Sequence, residues 1–119
     1  MLYRPSFPAS STTSLIPNYP PTTEIPLGIH LMQPRFPLGK IFATPGAIAL
    51  DVDLSQYLRR HHCSDWGEAL CDEDRRTNDE ALEDGFRLLS CYRTHAGDRL
   101  YIITEHDRSV TTILLPSEY

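Results

Sequence analysis

Residues 86–115 read FRLLSCYRTHAGDRLYIITEHDRSVTTILL, and they hold three apolar segments separated by two turns. The segment at 86–93 alternates in its side chains, those at 99–104 and 110–115 are rich in β-branched and other apolar residues, and turn residues bound all three, which indicates strands. A parallel crossover takes about a dozen residues or more, and the two turns are shorter than that. The sequence therefore predicts a three-stranded antiparallel meander.

One further strand and two short helices are predicted before the meander. Residues 38–43 form an apolar strand, and Thr44 followed by Pro45 predicts the start of a short helical turn. Helices are predicted at 54–62 and 72–84. The fold class predicted from the sequence is α+β, with a three-stranded antiparallel meander plus an N-terminal strand packed against two short helices.

The boundaries of both helices and their buried residues follow from local signals. Asp53 is the predicted N-cap of the first helix, and Gly85 ends the second. Asn78 is predicted to be a buried hydrogen-bonding residue, and Trp66 to cover the core. The core itself is predicted to place three strand residues against three helix residues: Leu88, Ile102 and Leu114 against Leu54, Leu58 and Leu82.

The composition changes at residue 32. Residues 1–31 hold only two charged side chains, Arg4 and Glu24, and six of the ten prolines. This composition predicts a disordered Pro/Ser/Thr-rich tail, for which recognition of a partner groove is the functional alternative. Residues 32–119 are predicted to form a single compact domain.

Net charge and cysteine content exclude several classes of protein. The net charge of −5 disfavours direct nucleic-acid binding, which needs clustered Lys and Arg. Three cysteines without a CxxC pair favour a reducing cytoplasm, and no apolar run predicts a membrane segment. No phosphate-binding glycine loop is present, so no cofactor is expected. The core is small, and a homodimer would bury more apolar surface.

Histidines and cysteines form the one potential metal or nucleophile cluster in the sequence. Zinc sites usually draw their ligands from paired short spacings, which are missing here, so no metal site is expected. A minor metal-binding protein or enzyme remains an alternative. It would use His61, Cys63, Cys71, Cys91 or His95.

Acidic residues between 65 and 84 give this stretch a net charge of −7. A solvated helix face explains such a run, and mimicry of DNA phosphates toward a basic groove is the functional alternative. A protein partner is expected to bind this acidic helix together with the charged turn at 105–108. The candidate partner-binding residues are Asp72, Glu73, Asp79, Glu80, Glu105, His106, Asp107 and Arg108.

Several segments resemble a family of small bacterial proteins carried on plasmids and integrative elements. Members are described as plasmid-related proteins or as type I restriction endonuclease subunit M, and they start just before Gln33, which favours Met32 as a natural start. The resemblance covers about residues 34–119. It rests on FPLGKIFATPGA at 36–47, DWG at 65–67, NDEAL at 78–82, and ITEHDRS at 103–109 with Leu115-Pro116.

The resemblance implies a small non-enzymatic accessory protein of mobile-element origin that binds a macromolecule and is linked to restriction–modification. It supplies no catalytic residue. A methyltransferase subunit would need a glycine-rich cofactor loop and an Asn/Asp-Pro-Pro-aromatic segment, and the chain has neither. An acidic inhibitor of a host nucleic-acid defence system is the alternative within the same class.

Overall fold

A computed structural model describes Ser14–Leu15 and residues 33–119. These residues form an α+β fold with one mixed sheet, whose strand order is β1-β2-β5-β4-β3. The strands are β1 (Ser14–Leu15), β2 (Lys40–Ala43), β3 (Leu88–Arg93), β4 (Arg99–Thr104) and β5 (Val110–Leu114). The helices are α1 (Pro45–Ala49), α2 (Leu54–His62) and α3 (Asp72–Asp84), and a 3₁₀ helix spans Pro116–Glu118.

The antiparallel pairing predicted for the last three strands is confirmed. β3 pairs with β4, and β4 pairs with β5, with Ser90 and Ile113 both opposite Ile102. The sheet as a whole is not a pure meander, because β2 lies beside β5 and runs parallel to it. The predicted N-terminal strand thus joins the sheet next to the last strand of the chain.

Local capping fixes the helix boundaries as predicted. The hydroxyl of Thr44 accepts a hydrogen bond from the backbone N–H of Ala47 at 3.2 Å, which caps α1. The carboxylate of Asp53 accepts one from the N–H of Ser55 at 3.1 Å, which caps α2. Gly85 follows α3 with a φ of +75°, the left-handed conformation that glycine adopts without strain.

The core lies between α2 and one face of the sheet. Leu58, Leu88 and Ile102 are fully buried there, as predicted, and Leu54 and Leu82 pack against this core while partly exposed.

The predicted position of Leu114 is wrong. Leu114 lies opposite Tyr101, while Ile113 lies opposite Ile102 and shares its face. Successive side chains of a strand point to opposite faces, so Leu114 lies on the face away from α2. Ile113, Leu114 and Leu115 are all apolar, and this run gave no alternation from which to choose the inner residue. Leu114 is nevertheless fully buried, so both faces are covered at this point.

The predicted tail at 1–31 lies outside the described residues except for Ser14–Leu15. These two residues form β1, which pairs antiparallel with β2 and places Leu15 opposite Phe42.

The outer edge of β3 is closed by a side chain from α3. The amide nitrogen of Asn78 donates to the carbonyl of Leu89 at 2.6 Å, and its amide oxygen accepts from the N–H of Leu89 at 3.1 Å. Asn78 is buried, which confirms its predicted role and identifies its partner.

The next two outward-facing residues of β3 are closed by the loop between α2 and α3. The N–H of Cys91 donates to the carbonyl of Trp66, and the carbonyl of Cys91 accepts from the N–H of Ala69. The N–H of Arg93 donates to the carboxylate of Glu68 at 2.6 Å. These bonds occupy backbone groups of Leu89, Cys91 and Arg93 that an open edge strand would offer for pairing with another chain.

Substitution of glycines by alanine should separate the loss of stability caused by close packing from the loss caused by backbone strain. Gly39, Gly67, Gly85 and Gly97 all have positive φ, so alanine at any of them costs about 1–2 kcal/mol. A methyl group would also collide with the carbonyl of Ser109 at Gly39 and with that of Cys91 at Gly67. Chemical denaturation should show losses above about 3 kcal/mol for Gly39→Ala and Gly67→Ala. Gly85→Ala and Gly97→Ala are the controls, with open space around the added methyl group. Equal losses of stability at all four positions would contradict the close approach of a neighbouring carbonyl to Gly39 and to Gly67.

The substitution Asn78→Leu should show how much the hydrogen bonds at the β3 edge contribute to stability. It leaves the N–H and carbonyl of Leu89 without their partner, at about 1–3 kcal/mol for each buried group. Urea unfolding should therefore show a loss of at least about 2 kcal/mol. Arg76→Ala on the exposed side of the same helix should change stability by less than about 0.5 kcal/mol. If the two variants lose equally little stability, solvent hydrogen-bonds the N–H and carbonyl of Leu89 in the Asn78→Leu variant.

Candidate functional site

A chain of buried polar groups runs through the centre of the fold. His61, on α2, is fully buried, with its Nδ1 2.6 Å from the hydroxyl of Ser90 and its Nε2 2.8 Å from the hydroxyl of Thr104. The hydroxyl of Thr104 lies 2.7 Å from that of Thr111, which donates to the carbonyl of Leu38 at 2.7 Å. The chain connects four polar side chains to one backbone acceptor.

The carbonyl at the end of this chain fixes the direction of every proton in it. Thr111 uses its proton on Leu38, so it accepts from Thr104, and Thr104 in turn accepts from Nε2–H of His61. Nδ1 of the neutral ring then accepts from Ser90. Burial lowers the pKa of His61 to about 3, with smaller contributions from the charges of His62 and Arg108. Neither ring nitrogen of His61 is available as a base or as a metal ligand.

The other residues of the predicted metal or nucleophile cluster lie on different elements. Cys63 ends α2, Cys71 precedes α3 and is exposed, Cys91 is buried in β3, and His95 is exposed in the turn after it. Burial raises the pKa of the thiols of Cys63 and Cys91, which disfavours the reactive thiolate. Within residues 33–119, no three His, Cys, Asp or Glu side chains converge to hold a metal ion.

Most of the charged side chains in the turn at 105–108 are engaged in contacts inside the protein. Both the N–H and the hydroxyl of Ser109 donate to the carboxylate of Asp107, at 3.1 Å and 2.6 Å, and these bonds lower the pKa of Asp107. Glu105 forms an ion pair with Arg87 at 3.2 Å, while His106 is exposed. Asp107 therefore shapes its turn.

Arg108 ties this turn to the end of α3. Its guanidinium donates to the carbonyls of Phe86 at 2.6 Å, Glu105 at 3.1 Å and Ala81 at 2.9 Å, and it lies 5.8 Å from the ring centroid of Phe36. The residue has a φ of +61°, a strained conformation that these contacts hold in place. Arg108 was a candidate for partner binding, and the structure places it in a stabilising role.

The four candidate residues on α3 divide into two groups. Asp79 accepts a hydrogen bond from the indole N–H of Trp66 at 2.9 Å, and Trp66 is buried as predicted. Asp72 lies 4.0 Å from Arg75, at the limit of an ion pair. Glu73 and Glu80 are exposed, and the fold does not use them. All four side chains are exposed, and Asp79 differs from the other three in that it also holds Trp66.

A pocket of about 220 Å³ opens between α3 and the face of the sheet opposite α2. Leu89 and Ile103 supply apolar lining from the sheet, and the carboxylates of Glu73 and Asp74 stand on the exposed side of the helix. Its full lining is Glu73, Asp74, Thr77, Asn78, Arg87, Leu89, Ile103 and Tyr119.

Tyr119 brings an unsatisfied hydroxyl to the pocket lining. Its ring meets that of Tyr101 edge to face at 5.8 Å between centroids, and its hydroxyl oxygen is buried without a hydrogen-bond partner in the described part of the chain. Buried hydroxyls are normally bonded, so this one is suited to meet a polar group of a ligand. The sequence gave no signal for Tyr119 or Asp74 as site residues, because the pocket joins segments distant in the chain.

Comparison with protein-family models, with curated proteins and with solved structures found no match to this chain. No helix in the described part of the chain has the length and apolar character needed to cross a bilayer.

The buried histidine should make stability depend on pH. Between about pH 6.5 and 3 the unfolded chain binds a proton at His61 and the folded protein does not. Stability should therefore fall as pH decreases through this window, by up to about 1.4 kcal/mol per pH unit from this residue. Urea unfolding from pH 7 to 4.5 measures the slope.

The variant His61→Gln isolates this contribution. His62 and the carboxylates titrate in both proteins, so the difference between their slopes belongs to His61. The variant is expected to be less stable at pH 7 and to have the shallower pH dependence. Parallel curves for the two proteins would show that His61 is protonated in the folded state.

Proposed function

We propose that this protein is a small non-enzymatic binding module that recognises a basic protein partner through α3. The helix carries seven carboxylates and two guanidinium groups, a net charge of −5, which equals the net charge of the whole chain. The remaining residues are therefore neutral overall, and the negative charge is concentrated on one element. This concentration is the observation that carries the proposal.

The arrangement of the carboxylates on α3 supports a role in binding. Within the described residues, Glu73, Asp74, Glu80 and Glu83 are exposed and form no ion pair. The fold holds the helix through Asn78 and other inward-facing groups, so these carboxylates are accessible. Exposed charge of one sign speeds encounter with a partner of opposite charge and selects against partners of like charge.

The buried polar chain supports binding over catalysis as well. His61 is one of the residues that a metal-binding protein or enzyme would use here, and both its ring nitrogens are engaged by Ser90 and Thr104. An enzyme or metal protein using His61, Cys63, Cys71, Cys91 and His95 would need these residues to move together from separate elements.

The biological setting is proposed from the resemblance described above. It favours an accessory protein of mobile-element origin linked to restriction–modification. An acidic inhibitor of a host nucleic-acid defence system is the second candidate, because a concentrated row of carboxylates could compete with DNA phosphates for a basic groove. Cys63, Cys71 and Cys91 form no disulfide with one another, which supports a reducing cytoplasm as its location. Homodimerisation is a separate proposal that sedimentation would test.

Charge reversal on α3 should abolish association with the partner. A partner captured from the source cells would be identified and purified, and its affinity measured by calorimetry at low and high salt. Glu73→Lys/Glu80→Lys should reduce that affinity at least about tenfold, and wild-type binding should weaken steeply as salt rises, since exposed charges are screened over about 8 Å at physiological ionic strength. Asp79 is left intact in this variant, because it holds Trp66.

The control places the same kind of charge change elsewhere. Asp98 lies exposed at the turn between β3 and β4, so Asp98→Lys and the single variant Glu80→Lys alter the net charge equally. Asp98→Lys should bind within about threefold of the wild type. Binding that is insensitive to salt and to the α3 substitutions would overturn the acidic-helix proposal.

A further inference from the structure

The pocket between α3 and the sheet is matched in size to one side chain. Its volume of about 220 Å³ is below the range of roughly 300–1,000 Å³ that is usual for drug-sized ligands and cofactors. The pocket is open to solvent where Glu73 and Asp74 stand exposed, so a residue projecting from a bound partner could enter from that side.

The lining combines an apolar surface with negative charge. Leu89 is partly exposed and offers hydrocarbon surface, with the fully buried Ile103 beneath, while Glu73 and Asp74 offer two carboxylates within one turn of α3. Arg87 also lines the pocket, and its guanidinium is paired with Glu105 at 3.2 Å, so its charge is largely compensated. An occupant with an aliphatic stem and a cationic end satisfies both parts of this lining.

The hydroxyl of Tyr119 adds a separate requirement. It is buried, it has no hydrogen-bond partner among residues 33–119, and its residue lines the same pocket. A ligand donor there would satisfy a polar atom that the fold leaves unpaired. This observation does not depend on the acidic character of α3.

We propose that this pocket binds one arginine side chain of the basic partner, with its stem against Leu89 and its guanidinium between the Glu73/Asp74 carboxylates and the Tyr119 hydroxyl. The inference rests on the proposed function and names the group recognised. Arginine fits better than lysine, because a planar guanidinium has five N–H donors and can bond several acceptors while lying against an aromatic ring.

The test uses the full-length protein and three capped tripeptides that differ only in the central residue. Acetyl-Gly-Arg-Gly-amide is the probe, acetyl-Gly-Lys-Gly-amide keeps the charge, and acetyl-Gly-citrulline-Gly-amide keeps the shape of arginine without its charge. NMR titration at about 50 mM salt should show saturable amide shifts at Asn78, Leu89 and Ile103 with the arginine peptide. The lysine peptide should bind at least about fivefold more weakly, and the citrulline peptide should give no saturable shift.

Matched variants separate the pocket from the acidic surface around it. Glu73→Gln/Asp74→Asn removes two charges at the pocket, and Glu80→Gln/Glu83→Gln removes two from the same helix without altering a lining residue. The pocket pair should weaken arginine-peptide binding at least about tenfold, and the control pair less than about threefold. Tyr119→Phe removes only the unpaired hydroxyl and should weaken binding about three- to tenfold.

Three results would overturn the inference: no saturable shift at the pocket, equal binding of the arginine and lysine peptides, or equal losses in the two charge-neutralised variants. Any of them can occur while the intact partner still binds α3 in a salt-dependent way, and the proposed function would then stand without the pocket. If the affinity of the partner is insensitive to salt and to charge reversal on α3, the proposed function fails independently of the peptide result.

Discussion

The hydrogen-bonded chain from Ser90 through His61 to the carbonyl of Leu38 connects five separate segments of the protein. It fixes α2 to β3 and β4, and it fixes β5 to the residues that lead into β2. In an environment with little water these bonds are strong, and an unsatisfied member would be costly. The position of α2 determines where the following loop begins, and that loop covers part of the β3 edge.

The helix α3 depends on this edge and at the same time presents the candidate binding surface. Asn78 bonds the backbone of Leu89, and Asp79 bonds the indole of Trp66. These two neighbouring residues hold the helix in place, while Glu73, Asp74, Glu80 and Glu83 are exposed and form no ion pair within the described residues. The arrangement separates stability from recognition within a single helix, although the two sets of residues alternate along its sequence.

Local signals were sufficient for the helix ends and for the antiparallel pairing of β3, β4 and β5, and insufficient for the rest of the sheet. Thr44, Asp53 and Gly85 determine helix ends through bonds that span a few residues, and these ends were predicted correctly. The parallel neighbour of β2, the inward orientation of Ile113 and the partners of His61 depend on contacts between distant segments. The pocket depends most strongly on such long-range contacts, because Tyr119 comes near α3 only after the whole sheet has formed.

The parallel pairing of β2 with β5 has a consequence during synthesis on the ribosome. Lys40 pairs with Val110, so β2 leaves the ribosome early and cannot pair with β5 until nearly all the rest of the domain has been synthesised. Until then α2 and α3 have no complete surface to pack on, and their apolar residues are exposed to chaperones. Long-range pairing of this kind slows folding relative to helical domains of similar size. The nascent chain therefore reaches its native state after translation of β5 rather than progressively from its N-terminus.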